Sequence, residues 1–258
     1  MNVNALIGSH DVLFLVLDTL RFDVATQARI PNLRKLLPGG QWELRHAPGN
    51  FTYASHQAFF AGFLPTPALP GRHARLFSTR FDGSETTTSD TCVFDSKDIV
   101  SGFAQRGYRT VCIGGVGFFN PGNPLGKVLP GYFQESHWSA ETGVTAKDST
   151  RAQVEIAERV LASSKQRVFL FINVSALHQP NCHYLPGATE DSVQTHAAAL
   201  EYVDAQLPPL FAALRARGPS LCIVCSDHGT AYGEDGFHGH RLNHPVVSNV
   251  PYAEFIQS

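Results

Sequence analysis

Four short stretches of this chain, residues 12–17, 110–114, 168–174 and 221–225, are β-branched or otherwise apolar at nearly every position. A strand with one wet face alternates apolar and polar side chains, whereas a strand covered on both faces runs apolar throughout. These runs therefore read as buried parallel strands. Helical spacing fills the intervals at 31–37, 55–63, 98–106, 149–164 and 195–217. Strands alternating with helices make βαβ units, so the expected fold is α/β, a doubly wound and mostly parallel sheet flanked by helices. With 258 residues, one domain spanning 1–258 is expected. It would bury roughly three quarters of the surface its unfolded chain exposes. Two polar, Gly/Pro-rich stretches at about 66–91 and 116–147 are read as loops covering the site, not as linkers.

Composition narrows the partners. The net charge of −2 argues against a broad nucleic-acid footprint or a polybasic membrane anchor. No run approaches the roughly 20 apolar residues of a membrane span. The apolar run at 13–17 has neither a basic flank nor a small-residue cleavage site. Cys92, Cys112, Cys182, Cys222 and Cys225 are odd in number and form no disulfide framework, which favours reduced thiols and a cytoplasmic setting. Cys222 and Cys225 lie inside an apolar strand without a second pair, so buried thiols are expected there. Nothing in the sequence sets an oligomeric state.

The chemistry is positional. Residues 12–17 run into Asp18, residues 168–174 are followed by His178 and His183, and residues 221–225 run into Ser226-Asp227-His228-Gly229. In an open parallel sheet, ligands bind beyond the carboxyl ends of the strands, so these groups should converge. Imidazole is the commonest metal ligand, and the chain has 12 histidines. An Asp after a strand can also simply cap the next helix. Thr52 precedes the helical run 55–63. Its hydroxyl is open to two readings: a plain N-cap, or a nucleophile at a helix end that attracts phosphate.

The residues Asp18-Thr-Leu-Arg21-Phe-Asp23 and Ile30-Pro31-Asn32-Leu33 resemble the opening motifs of sulfatases and related phosphoesterases. Thr52-Tyr-Ala-Ser55-His56, then Ala61-Gly62-Phe-Leu-Pro65, is similar to their nucleophile segment. Ser226-Asp227-His228-Gly229, Gly233-Glu234-Asp235-Gly236, Gly239-His240 and Val250-Pro251 match their closing motifs in order. The chain is thus identified as a member of the alkaline phosphatase/sulfatase superfamily, resembling its compact bacterial sulfatase-like hydrolases. The resemblance implies two divalent ions about 4 Å apart. Asp18, Thr52, Asp227 and His228 would hold the first. His178 and His240 would serve the second, with zinc expected and manganese or iron as alternatives.

Several departures matter. The Asp that the family often carries before the His178 position is absent, since this stretch reads Asn173-Val-Ser-Ala-Leu. His183 is the candidate to complete an all-histidine second site, while His238 and His244 rival His240. The nucleophile position holds Thr52, which cannot become formylglycine as the Cys or Ser of sulfatases does. The implied activity is therefore hydrolysis of a small-molecule phosphate ester through a phosphothreonine intermediate. Phosphoryl transfer to an acceptor, phosphonate or sulfate-ester hydrolysis, and a degenerate member binding only metal or a phosphorylated ligand are the alternatives. Arg72, His73 and Arg75 are candidates for substrate contact, and Phe118, Phe119 and Asn120 for lining a pocket.

Overall fold

The computed structural model describes residues 1–81 and 87–258. The part of the first long loop at 82–86 lies outside the described residues. The strands are β1 Asp11–Leu17, β2 Glu43–His46, β3 Thr66–Pro67, β4 Phe77–Thr79, β5 Cys92–Phe94, β6 Arg109–Ile113, β7 Glu135–His137, β8 Val168–Val174, β9 Ser220–Cys225, β10 Ala231–Tyr232, β11 His238–Gly239 and β12 Asn249–Gln257. The helices are α1 Phe22–Gln27, α2 Pro31–Leu36, α3 Thr52–Phe60, α4 Ile99–Gln105, α5 Ser149–Ala162, α6 Val193–Gln206, α7 Pro208–Arg217 and α8 Pro245–Ser248.

The main sheet runs β3-β2-β12-β9-β1-β8-β6-β7. Strands β9, β1, β8, β6 and β7 are parallel. Strands β12, β2 and β3 extend it antiparallel on the β9 side. The continuous apolarity of β1 has the expected meaning, because alternate residues feed opposite layers. Leu13, Leu15 and Leu17 join one buried cluster with residues of α1, α2, α5, α6 and α7. Val12, Phe14 and Val16 join another with α3 and α4. The second layer is aromatic: Phe103 stacks on Phe169 at 4.3 Å, and Phe14 meets Phe59 edge-on at 5.3 Å. Such pairs contribute about 0.5–1.5 kcal/mol each beyond their area burial. This face of the sheet is therefore packed with aromatic rings from the amino end of β8 to the middle of β1.

Some boundaries differ from expectation, for local reasons. The helix expected at 55–63 begins at Thr52, three residues earlier. The pattern at 195–217 is two helices, because Pro208 starts α7 and cannot continue α6. Strand β6 ends at Ile113, before Gly114 and Gly115. A Cβ on Gly115 would lie 2.4 Å from the Asn173 carbonyl oxygen, so the chain must be bare where it crosses β8. The segment 116–147 is not one loop, since it supplies the edge strand β7. Strand β12 was not expected, because Pro251 and Glu254 interrupt its apolar pattern. No described helix is long and apolar enough to cross a membrane.

Candidate active site and metal centre

Strands β9, β1 and β8 are neighbours, and their carboxyl ends deliver the polar residues side by side. Asp18 leaves β1 and is tied to β8 by its amide, which donates to the Val174 carbonyl at 3.2 Å. Asp227 and His228 leave β9. Thr19 turns the chain sharply with a φ of 63°. Its amide then donates to Asp227 Oδ1 at 3.1 Å, joining the two strand ends. The His228 amide donates to the same oxygen at 3.0 Å. Ser55 of α3 closes the third side, donating from Oγ to the Asp227 carbonyl at 2.7 Å.

Gly229 is required by crowding, not by a left-handed backbone. A Cβ there would lie 1.9 Å from the Val246 carbonyl oxygen.

Thr52 is the first helical residue of α3, and the preceding Phe51 makes no side-chain cap. The Thr52 hydroxyl instead lies 3.4 Å from Asp18 Oδ2 and 3.3 Å from His228 Nε2. The plain N-cap reading does not hold for Thr52. Nor does the capping reading hold for Asp18, since α1 begins four residues later behind Arg21.

Asp18, Asp227 and His228 are fully buried, and one ligand atom from each lies within 4.8 Å of the others. His228 Nδ1 sits 2.8 Å from the Gly229 carbonyl, which can only accept, so the proton is on Nδ1. The Nε2 lone pair therefore faces Thr52 and Asp227. His178 is fixed the same way, with Nδ1 donating to the Gln179 carbonyl at 2.6 Å. His240 approaches both, at ring-centroid distances of 4.6 Å from His228 and 5.7 Å from His178.

Asn173 lies in the stretch before His178, which carries no acidic residue. It points to the first cluster, donating from Nδ2 to Asp18 Oδ2 at 2.7 Å, while its Oδ1 accepts the Val116 amide at 3.1 Å. Sequence reasoning gave Asn173 no role. Its signal was a polar side chain inside an apolar strand, which must find partners.

The electrostatics leave the cluster incomplete. Burial, and then the charge of Asp227, raises the Asp18 carboxyl to about 6. Burial raises Asp227 to about 7. Burial and the neighbouring imidazoles push His240 down to about 3, and burial also lowers His228. Asp18 Oδ1, Asp227 Oδ2 and His240 Nδ1 are buried without a hydrogen-bond partner among the described residues. Two carboxylates that resist ionising together, beside neutral imidazoles with free lone pairs, form a donor set that a divalent cation fits.

The other candidates lie elsewhere. His183 packs on Tyr184 at a centroid distance of 4.2 Å, with Lys147 and Asp191 as its charged neighbours, and the structure does not bring it into the cluster. His244 caps α8 from Nδ1 and meets Asp235 at 3.1 Å through Nε2. His238 is exposed on β11. His56 is buried among Phe59, Phe60, Phe119 and Phe171, with Nδ1 2.7 Å from the Thr52 carbonyl. Phe119 is part of that cage, whereas Phe118 reaches the rings of Phe51 and Tyr53 beside Thr52. In the first loop, Arg75 lies over Phe63 and Phe81, and His73 bonds the Leu69 carbonyl. Cys222 and Cys225 are buried, and burial raises both thiols, Cys222 to about 12.

Arg21 and Asn32 of the opening motifs are structural. Buried Arg21 pairs with Asp23 and Glu234, tying the β1 exit to the segment between Asp227 and His240. Asp204 of α6 accepts the amides of Asn32 and Leu33, capping α2 from outside.

Comparison with known proteins agrees with this fold. The family described as Sulfatase matches residues 11–249. No curated protein matches the sequence. Among solved structures, the C-terminal periplasmic domain of phosphoethanolamine transferase EptC from Campylobacter jejuni aligns with a TM-score of 0.65 at 13% identity, covering 96% of this chain and 80% of that one. The corresponding EptC domain from Escherichia coli, in complex with Zn, gives 0.62 at 11% identity, covering 96% and 74%. A protein in the alkaline phosphatase superfamily from Vibrio parahaemolyticus gives 0.56 at 15%, covering 95% and 60%.

Proposed function

This chain belongs to the sulfatase family of the alkaline phosphatase superfamily, and on that premise we propose that it is a metal-dependent enzyme cleaving small-molecule phosphate esters through Thr52. The observation that carries the proposal is the Thr52 hydroxyl. It forgoes its helix amides for a buried carboxylate and imidazole, at 3.4 and 3.3 Å.

In this reading Asp18, Asp227 and His228 hold one cation, and His178 with His240 serve a second. When bound, divalent cations supply Lewis acidity, favouring the alkoxide of the attacking hydroxyl and neutralising phosphoryl oxygens. Zinc suits the nitrogen-rich set, and the E. coli EptC domain is described in complex with Zn. The protein's own part is positioning. Asn173 and the Val174 carbonyl hold Asp18 in place, and Thr19 and Ser55 hold Asp227. Thr52 Oγ attacks phosphorus from the positive end of α3, the P–O bond to the leaving oxygen breaks, and the proton given up by the Thr52 hydroxyl is balanced by the one the departing alcohol takes up. The resulting phosphothreonine is then cleaved by water.

A second reading, transfer of the phosphoryl-linked group to an acceptor alcohol, is favoured by fold neighbours named as phosphoethanolamine transferases. Sulfate esters are disfavoured because threonine cannot form formylglycine. The cytoplasmic setting belongs to the proposal, supported by five free cysteines, and cell fractionation tests it; the EptC neighbours are periplasmic domains.

The deciding experiment uses zinc-loaded protein with p-nitrophenyl phosphate and p-nitrophenyl sulfate. Turnover of the phosphate, a phosphorylated Thr52 in acid-quenched protein, and a loss on the order of 10³-fold or more in Thr52→Val are expected. Wild-type turnover in Thr52→Val, or a preference for the sulfate, refutes the proposal. Adding a competing alcohol then separates hydrolysis from transfer.

A further inference from the structure

The residues on either side of Thr52 are aromatic, and they do not disappear into the core. Phe51 and Tyr53 are half-buried, and so is Phe118, which reaches them from the second long segment. The Phe118 centroid is 6.3 Å from that of Phe51 and 5.7 Å from that of Tyr53, with tilted rings. Fully packed aromatics are plentiful here, as the cage around His56 shows. A partly open group of three at the nucleophile is a different feature.

Arg241 completes the rim. It follows His240 directly, is exposed, and has a φ of 69°, a left-handed conformation that glycine would adopt without strain. Its amide donates to the Asn50 carbonyl at 2.8 Å, which anchors it two residues from Thr52. Its guanidinium lies over Phe51 at 5.0 Å. Phe51, Tyr53, Phe118 and Arg241 include no carboxylate.

We propose that Phe51, Tyr53, Phe118 and Arg241 form the leaving-group subsite of the reaction centred on Thr52, and that this subsite selects anionic phosphoesters with a flat aromatic group over aminoalkyl ones. The inference rests on the phosphoester reading above. The flat group stacks against Phe118 and Tyr53, because ring contacts of this kind favour an aromatic ligand over an alkyl one. Arg241 attracts the phosphoryl charge and repels a terminal ammonium.

The test measures binding and needs no turnover. Zinc-loaded protein is titrated calorimetrically with phenylphosphonate, methylphosphonate and 2-aminoethylphosphonate, which share a non-transferable phosphonate. Phenylphosphonate should bind ~10-fold more tightly than methylphosphonate, the equivalent of one or two ring contacts. The aminoethyl compound should bind most weakly. Phe118→Ala should remove most of the phenyl advantage while leaving methylphosphonate affinity unchanged, and Phe118→Leu should keep part of it. Arg241→Gln should weaken phenyl- and methylphosphonate together and narrow the aminoethyl penalty. Equal affinity for phenyl- and methylphosphonate, or a ratio unchanged in Phe118→Ala, overturns the subsite and leaves the phosphoester reading standing. Failure of all three phosphonates to bind overturns both.

Discussion

Gly229→Ala tests whether the site is built by close backbone packing. Gly229 follows Asp227 and His228, and its amide donates to the Val247 carbonyl at 2.7 Å. The added Cβ would lie 1.9 Å from the Val246 carbonyl oxygen, 2.9 Å from its carbonyl carbon and 3.2 Å from Val247 Cα. All three are backbone atoms, so no side chain can swing away. Relief needs a main-chain shift of about 1 Å, which a close-packed interior resists. The turn itself is pinned, because Asp227 accepts the Thr19 amide and the Ser55 hydroxyl, and Ser226 donates to the His228 carbonyl. Overpacking of this kind costs about 1–3 kcal/mol, and loss of the Gly229 hydrogen bond adds about 1 kcal/mol. The stiffer unfolded chain returns less than ~1 kcal/mol. The net is about 1–4 kcal/mol, and at ~2–4 °C per kcal/mol for a chain of this size the melting temperature should fall by roughly 2–16 °C. The zinc-induced rise in melting temperature should shrink with it, since Asp227 and His228 must move. Gly131, where an added Cβ meets nothing within 4 Å, supplies the control, and Gly131→Ala should melt like wild type. If Gly229→Ala melts within a degree or so of wild type and keeps its zinc response, the crowding argument is wrong.

Two further outcomes follow from the cluster. Asp18 and Asp227 titrate in the metal-free fold at about 6 and about 7, above the unfolded value of 3.8. The folded form therefore binds more protons than the unfolded one across roughly pH 4–7, and metal-free stability should fall as pH rises through that window. Asp227→Asn should flatten that slope and raise metal-free stability at pH 8, while abolishing the zinc-induced shift; a steeper slope or an intact zinc shift would contradict it. Elemental analysis should show fewer ions in His240→Ala and wild-type content in His183→Ala, and the reverse pattern would show that the loop bearing His183 reaches the centre.

What was legible in the sequence was what local chemistry dictates. The strand at 168–174 could be read to the residue because both its faces are covered and no polar face competes. The convergence of Asp18, Asp227 and His228 was legible for a related reason, since parallel strands put their carboxyl ends on one edge. Choosing among His183, His238, His240 and His244 was not. The segments bearing His238, His240 and His244 are directed by contacts distant in sequence, such as the Arg21 pair with Glu234 and the Arg241 amide bond to the Asn50 carbonyl. Strand β12 was hidden for the opposite reason. Its pairing with β9 and β2 compensates for a proline and a glutamate that argue locally against a strand.

The motifs of this chain thus divide by physical task. Arg21, Asn32 and Ser55 are consumed in bonds that hold segments together, and none has a free group facing the cluster. Asp18, Asp227 and His240 each keep one buried polar atom without a partner. Leaving such an atom unsatisfied costs about 1–3 kcal/mol, more for a charged group, so three in one place are not a feature that stability alone would produce. The bonds from Asn173 and Thr19 go to the other carboxylate oxygens, Asp18 Oδ2 and Asp227 Oδ1, and leave these atoms unrelieved. The two proposed cations, one at Asp18 and Asp227 and one at His240, would remove that cost. In the proposed reading they would also hold the Thr52 hydroxyl, 3.4 Å from Asp18 and 3.3 Å from His228, for attack, so the atoms least stable alone are the ones expected to act.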